Sequence, residues 1–267
     1  MQTLDYLIGR ERELETLSDV LAARQPALVV IGGAVGMGKS ALLGAIRQRA
    51  ADDGWRLLPD GAEVLEVHEG MSVASLQGAL ERLVAYADRG TEREPFTAPT
   101  ASAPGDGTSQ SPPAAVTSLL AGTRLMSASL RSRAVGGLLD PLHQLAPAMI
   151  ALDVRTPDRA VLSWLTAKLW PAVRAAGVTT VIVAVVVDKE DERALASAAT
   201  TVLHLGPLDA HAVRSHLETV TSALSPSELD GYAEAIRHDP GLLSSFSRVL
   251  RLTGAPATSS APANEAG

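Results

Sequence analysis

Apolar residues recur along this chain in two rhythms. Within Arg10–Ala23, Leu14, Leu17 and Leu21 stand three and four apart, the spacing of an amphipathic helix. Ala27–Ile31 is an unbroken apolar run, opened by Pro26 and closed by Gly32-Gly33. It is too short for a helix and rich in Val and Ile, so it predicts a strand buried on both faces. The same reasoning predicts helices over Lys39–Ala51, Leu76–Tyr86 and Arg159–Ala176, with further helical segments between Ala115 and Ala146. It predicts strands at Trp55–Leu58, Ala148–Leu152 (ending at Asp153), Thr179–Val187 and Thr201–Leu205. After Pro207 only helices follow. Asp209 is placed to cap Ala210–Ser222, and Gly241–Leu252 is the last helix. Between them Ser225-Pro226-Ser227-Glu228 forms a capping box with proline at the first helical position, starting a helix to about Ile236.

Strands alternating with helices imply a parallel sheet covered by helices on both faces, a three-layer α/β domain. We assign it to residues 1–206, with a small helical lid domain at 207–253. Two stretches carry neither rhythm: 89–115, rich in Pro, Gly, Ser and Thr, reads as a flexible insertion, and 254–267 as a disordered tail. Aromatic residues make up only 3% of the chain, so Val, Leu, Ile and Ala must build the core. With no cysteine, disulfides, zinc ribbons, iron–sulfur sites and thiol nucleophiles are excluded. A net charge of -7 argues against broad nucleic-acid or anionic-membrane binding. Met1–Tyr6 has no signal-peptide pattern, and the longest strongly apolar run, Val181–Val187, falls far short of the roughly 20 residues that span a bilayer. The expectation is a soluble cytoplasmic protein.

The chemistry is concentrated in Gly33-Ala34-Val35-Gly36-Met37-Gly38-Lys39-Ser40, a complete G-x-x-x-x-G-K-[ST] between a predicted strand and a predicted helix. Glycines let such a loop turn successive N–H groups inward around phosphate, and the following helix, with Ala41 in its first turn, adds its positive end. Lys39, one of only three lysines, would reach the β- and γ-phosphates, and the Ser40 hydroxyl would be a ligand of Mg²⁺. A magnesium nucleotide also needs an acid at the carboxyl end of a neighbouring strand. Asp153, after the run Ala148–Leu152, is the candidate. The fold class is therefore a three-layer P-loop NTPase with a parallel sheet, followed by the helical lid, with ATP or ADP and Mg²⁺ as cofactors.

The order of motifs resembles the STAND-type, AAA-related P-loop ATPases of bacterial regulators. Ile8-Gly9-Arg10-Glu11-Arg12-Glu13-Leu14 is similar to the family's opening "GRE-x-EL" segment, which implies that Gly9 and Arg10 lie near the adenine. Leu152-Asp153 resembles Walker B, Leu205-Gly206-Pro207-Leu208-Asp209 the step into the lid, and Asp239-Pro240-Gly241-Leu242-Leu243 the lid's "GNP-xx-L" motif, in which Pro240 would approach the nucleotide. The resemblance implies catalytic roles for Lys39 and Asp153. Three departures bear on turnover. The second Walker B acid is replaced by Val154, which can neither accept a proton nor orient water. Val186-Val187-Asp188-Lys189 offers no arginine, and Asp239 stands where asparagine is common in the family.

These observations point to an ATP-dependent regulatory switch, an ATPase with slow or impaired hydrolysis. Its partner is expected to be a protein or a second copy of itself, with no membrane and no nucleic acid. A non-hydrolysing scaffold subunit is the main alternative. A GTPase would use Val187-Asp188-Lys189-Glu190-Asp191 to read guanine, and a DNA-binding regulator would use Arg237, Arg248 and Arg251 of the helical end.

Overall fold

The computed structural model describes residues 7–61, 63–88, 135–220, 224–243 and 246–247. The expected insertion 89–115, the tail 254–267 and most of the predicted helix Gly241–Leu252 lie outside them. The described residues contain six strands in one wholly parallel sheet: β1 (Ala27–Gly32), β2 (Arg56–Leu58), β3 (Leu65–His68), β4 (Ala148–Arg155), β5 (Thr180–Val186) and β6 (Thr201–His204). Their order is β2-β4-β5-β1-β6, and β3 also pairs with β4. β2 takes the first half of β4, from Arg56 opposite Ala148 to Leu58 opposite Ile150. β3 takes the second half, from Leu65 opposite Leu152 to His68 opposite Arg155. Two short strands thus share one edge, and β3 was not anticipated because Leu65-Glu66-Val67-His68 is too short to show a rhythm of its own.

The helices are α1 (Glu11–Ala22), α2 (Lys39–Asp52), α3 (Val73–Asp88), α4 (135–145), α5 (Arg159–Trp164), α6 (Trp170–Ala175), α7 (Lys189–Ala196), α8 (Ala210–Val220) and α9 (Pro226–His238). A π turn, Leu165–Leu169, joins α5 to α6 into the single run predicted at Arg159–Ala176. Both sheet faces are buried. Leu28, Val30, Ile150, Leu152, Val154, Ile182 and Ala184 pack in one cluster with residues of α3, α4, α5 and α6. The alternating set, Val29, Ile31, Met149, Ala151, Val181 and Val183, is equally buried on the other face, where α2 contacts β4 and β5. This double burial explains why the strands read as continuous apolar runs.

Arg47 of α2 is 3% exposed and donates from Nη2 to the carbonyls of Pro59 (2.7 Å) and Gly61 (2.5 Å) in the loop between β2 and β3. It fastens the helix that follows the P-loop to the shared sheet edge.

Internal contacts divide the chain into two compact units. One gathers Glu13–Ala34 and Lys39–Leu205. The other gathers the described residues within 1–12, 35–38 and 206–267. In the second, α8 and α9 pack around Leu208, Val213, Leu217, Leu229, Ala233, Ile236 and Leu243. Its capping box is present: Ser225 Oγ accepts from Glu228 N–H at 3.4 Å and Glu228 Oε2 accepts from Ser225 N–H at 2.8 Å. Asp209 Oδ1 accepts from the His211 N–H at 3.4 Å, at the start of α8. No helix among the described residues is long and apolar enough to cross a membrane.

Ile182 is 1% exposed in the middle of the sheet, whereas Val202 on edge strand β6 is 43% exposed. Ile182→Ala should cost about 3 kcal/mol in urea unfolding, and Val202→Ala less than ~0.5 kcal/mol.

Candidate functional site

The P-loop leaves the carboxyl end of β1 and enters α2. At its first glycine, Gly33, φ is +136° and an added Cβ would lie 2.5 Å from the Leu205 carbonyl oxygen, so no other residue fits without backbone movement. The Lys39 ammonium folds back onto the loop and donates to the carbonyls of Gly33 and Ala34, each at 2.6 Å. Lys39 is 6% exposed. Burial pulls its pKa down, while the charges of Asp153 and Glu192 hold it up. A depressed folded-state value means that the cost of the buried charge is present at neutral pH. That cost fades as pH rises toward the unfolded-state value of about 10.4. Ser40 and Ala41 are exposed on the first turn of α2, and Ala34 is exposed in the loop.

Asp153 lies on β4, separated from β1 by β5 alone. The strand does not end there. β3 extends the pairing, with Asp153 opposite Glu66 on one side and Val185 of β5 on the other, and β4 runs on to Arg155. Arg155 donates from Nε (3.0 Å) and Nη2 (2.7 Å) to Asp153 Oδ2. Val154 faces the opposite way and is fully buried in the sheet core. Position 154 is thus closed to water as well as apolar.

Glu192 was not anticipated. Asp188 caps α7, with Oδ1 accepting from Glu190 N–H (2.7 Å) and Asp191 N–H (3.2 Å). One turn on, Glu192 lays its carboxylate over Gly32, where an added Cβ would fall 2.2 Å from Glu192 Cδ. Glu192 Oε1 lies 3.0 Å from His204 Nδ1. The only sequence signal was Gly32, a second glycine before the motif proper. Asp188 as a helix cap also gives the stretch considered for guanine reading a structural role.

The second unit holds the loop apex. Gly36 and Gly38 both have φ of +83°. An added Cβ at Gly36 would meet Asp239 Oδ1 at 2.8 Å, and one at Gly38 would meet Pro240 Cβ at 3.9 Å. Asp239 Oδ1 also accepts from the Gly241 N–H at 3.2 Å. Arg10, 6% exposed, donates from Nη2 to the carbonyls of Met37 (3.3 Å) and Gly206. Gly9, with φ of +70°, donates its N–H to Glu11 Oε1 at 3.0 Å. Val35 is 77% exposed at the apex. Arg10 therefore braces backbone. Of the arginines at the helical end, Arg237 pairs with Glu234 at 3.3 Å, while Arg248 and Arg251 lie outside the described residues.

A parallel sheet whose first strand runs into G-x-x-x-x-G-K-S, with an acid two strands away, is the architecture of a P-loop ATPase. Residues 6–174, well over half of the chain, match the AAA ATPase domain, and the chain belongs to that family. No curated protein matches it. Among solved structures it is similar in fold to a Signal Transduction ATPase with Numerous Domains (STAND) protein with a tetratricopeptide repeat sensor from Pyrococcus horikoshii. The TM-score is 0.50 and the identity 15%, over 88% of this chain and 29% of that one. The chain thus spans less than a third of that protein's length. The Aeropyrum pernix ORC2 protein, solved as ADPNP–ADP complexes, gives a TM-score of 0.49 at 15% identity, covering 90% of this chain and 60% of its own. AMPPCP-bound DnaA from Aquifex aeolicus gives 0.46 at 13%, covering 92% and 62%.

Gly33→Ala forces a Cβ against backbone at an unfavourable φ and should destabilise the protein by about 2 kcal/mol or more in chemical unfolding. At Gly32 the atoms nearest an added Cβ are the end of the Glu192 side chain, which can swing aside, and Gly32→Ala should cost less than ~1 kcal/mol.

Proposed function

We propose that this chain binds ATP or ADP at the P-loop and acts as a nucleotide-dependent regulatory switch that holds its nucleotide and turns it over slowly. The observation carrying this reading is the complete motif at the β1–α2 junction, with the Lys39 ammonium poised over the loop carbonyls. In this reading the phosphates take the loop N–H groups, and Lys39 exchanges its two carbonyl partners for phosphate oxygens, where charge develops during phosphoryl transfer. Gly9, Arg10 and Pro240 complete the set of binding residues in this reading, and Arg10 donates to the Met37 carbonyl of the loop. Residues 207–253 serve as the lid, and the output passes to a protein partner or a second copy of the chain.

Ser40 and Asp153 are the residues that would hold Mg²⁺. Both offer hard oxygen donors of the kind it prefers, although Asp153 Oδ2 already accepts from Arg155. The ion's chemistry would be to neutralise phosphate charge. Slow turnover follows from Val154, which is apolar and buried where a water-orienting acid is needed.

The direct test is to denature the purified protein and identify released nucleotide by chromatography, beside Lys39→Ala. ADP or ATP should be released by the wild type and be absent from the variant, whose affinity for added ATP should fall at least about thirtyfold. A protein that carries no nucleotide and fails to bind ATP would replace this reading with the scaffold alternative. The Asp239 carboxylate stands against Gly36, where it opposes incoming phosphate. Asp239→Asn should therefore raise ATP affinity about fivefold, measurable by calorimetry.

A further inference from the structure

The acid on β4 has a cation of its own. Side chains two apart on a strand project from the same face, so the extension of β4 past Asp153 sets Arg155 beside it, about 6.6 Å along the strand. The guanidinium closes that gap with two charge-assisted bonds to one oxygen, at 3.0 and 2.7 Å. Its Nη2 also lies 3.7 Å from Glu66 Oε1. Glu66 and Asp153 are register partners on neighbouring strands. Two like charges placed directly opposite on one sheet face repel each other, and a positive group beside both relieves that repulsion. A divalent cation could do this. In this chain Arg155 does it.

The rest of the neighbourhood agrees. Asp153 is 16% exposed, and the Arg155 side chain, 60% exposed, covers it from the solvent side. Val154 turns into the core, so the strand supplies no second carboxylate toward a metal. A magnesium ion arriving with nucleotide would have to take Asp153 from a guanidinium already bonded to it and would then leave Arg155 facing the ion.

We propose that Arg155 is the resident counter-cation of this site and makes nucleotide binding nearly independent of magnesium. The inference rests on the nucleotide-binding reading above. It concerns which cation neutralises Asp153, not whether the P-loop binds.

The test is calorimetric titration of the full chain with ADP, in excess MgCl₂ and in excess EDTA, for the wild type, Arg155→Gln, Arg155→Lys and Lys39→Ala. In the wild type, EDTA should weaken binding by less than about threefold. In Arg155→Gln, which leaves Asp153 without its cation, the same change should weaken binding by about tenfold or more. Arg155→Lys keeps the charge and should keep the wild-type ratio. Thermal unfolding in the absence of nucleotide should show both Arg155 variants folded, since Arg155 is mostly solvent-exposed. A tenfold loss in EDTA for the wild type, or equal ratios in wild type and Arg155→Gln, would overturn the inference while leaving nucleotide binding intact. Failure of the wild type to bind ADP in either buffer, indistinguishable from Lys39→Ala, would overturn both.

Discussion

A parallel sheet buried on both faces has only its strand ends for polar chemistry. In this protein the central strands β1, β4 and β5 are apolar on both sides along most of their length and are covered by helices. Lys39, Asp153 and Glu192 all belong to the carboxyl end of that sheet, on the turn after β1, on β4 and on the helix after β5. Their closeness is a result of topology. β5 runs between β1 and β4, so the loop and the acid stand two strands apart, and the first turns of α7 come back over Gly32.

Each charged group at this edge has a hydrogen-bonding partner within the chain. Lys39 is solvated by two carbonyls, Asp153 by a guanidinium and Glu192 by an imidazole. In the other unit, Asp239 accepts an N–H from its own turn. Lys39, Asp153 and Glu192 would otherwise demand water or an ion at buried or partly buried positions, where an unpaired charge is costly. A ligand carrying both phosphate and metal has to compete with partners already in place. It gains most where the existing partner is weakest, at the lysine, whose two carbonyl acceptors carry no net charge.

Much of this was legible in the sequence because the signals were local. The P-loop is contiguous, the strands are apolar runs, and the Ser225 capping box is a four-residue pattern with a fixed geometry. What escaped depended on register and reach. Asp153 reads as the end of a strand because an acid normally stops an apolar run. Pairing with β3, itself too short to detect, carries β4 two residues further and so determines what Arg155 touches. Glu192 escaped because it lies in an exposed-looking acidic stretch, Glu190-Asp191-Glu192, whose members differ only in which side of α7 they occupy. Arg10 was singled out by resemblance alone, and its hydrogen bonds to the Met37 and Gly206 carbonyls span 27 and 196 residues of sequence, which no local pattern shows.

Arg47 ties these parts together mechanically. It sits eight residues after Lys39, about 12 Å along the same helix, and its buried guanidinium is pinned to the Pro59 and Gly61 carbonyls. Helix α2 is therefore fastened near its midpoint, with Lys39 at its amino end bonded to the loop carbonyls. The clamp joins the helix to the segment leading into β3, the strand that carries Glu66. The helix that follows the P-loop and the strand that borders Arg155 are thereby joined through one buried guanidinium.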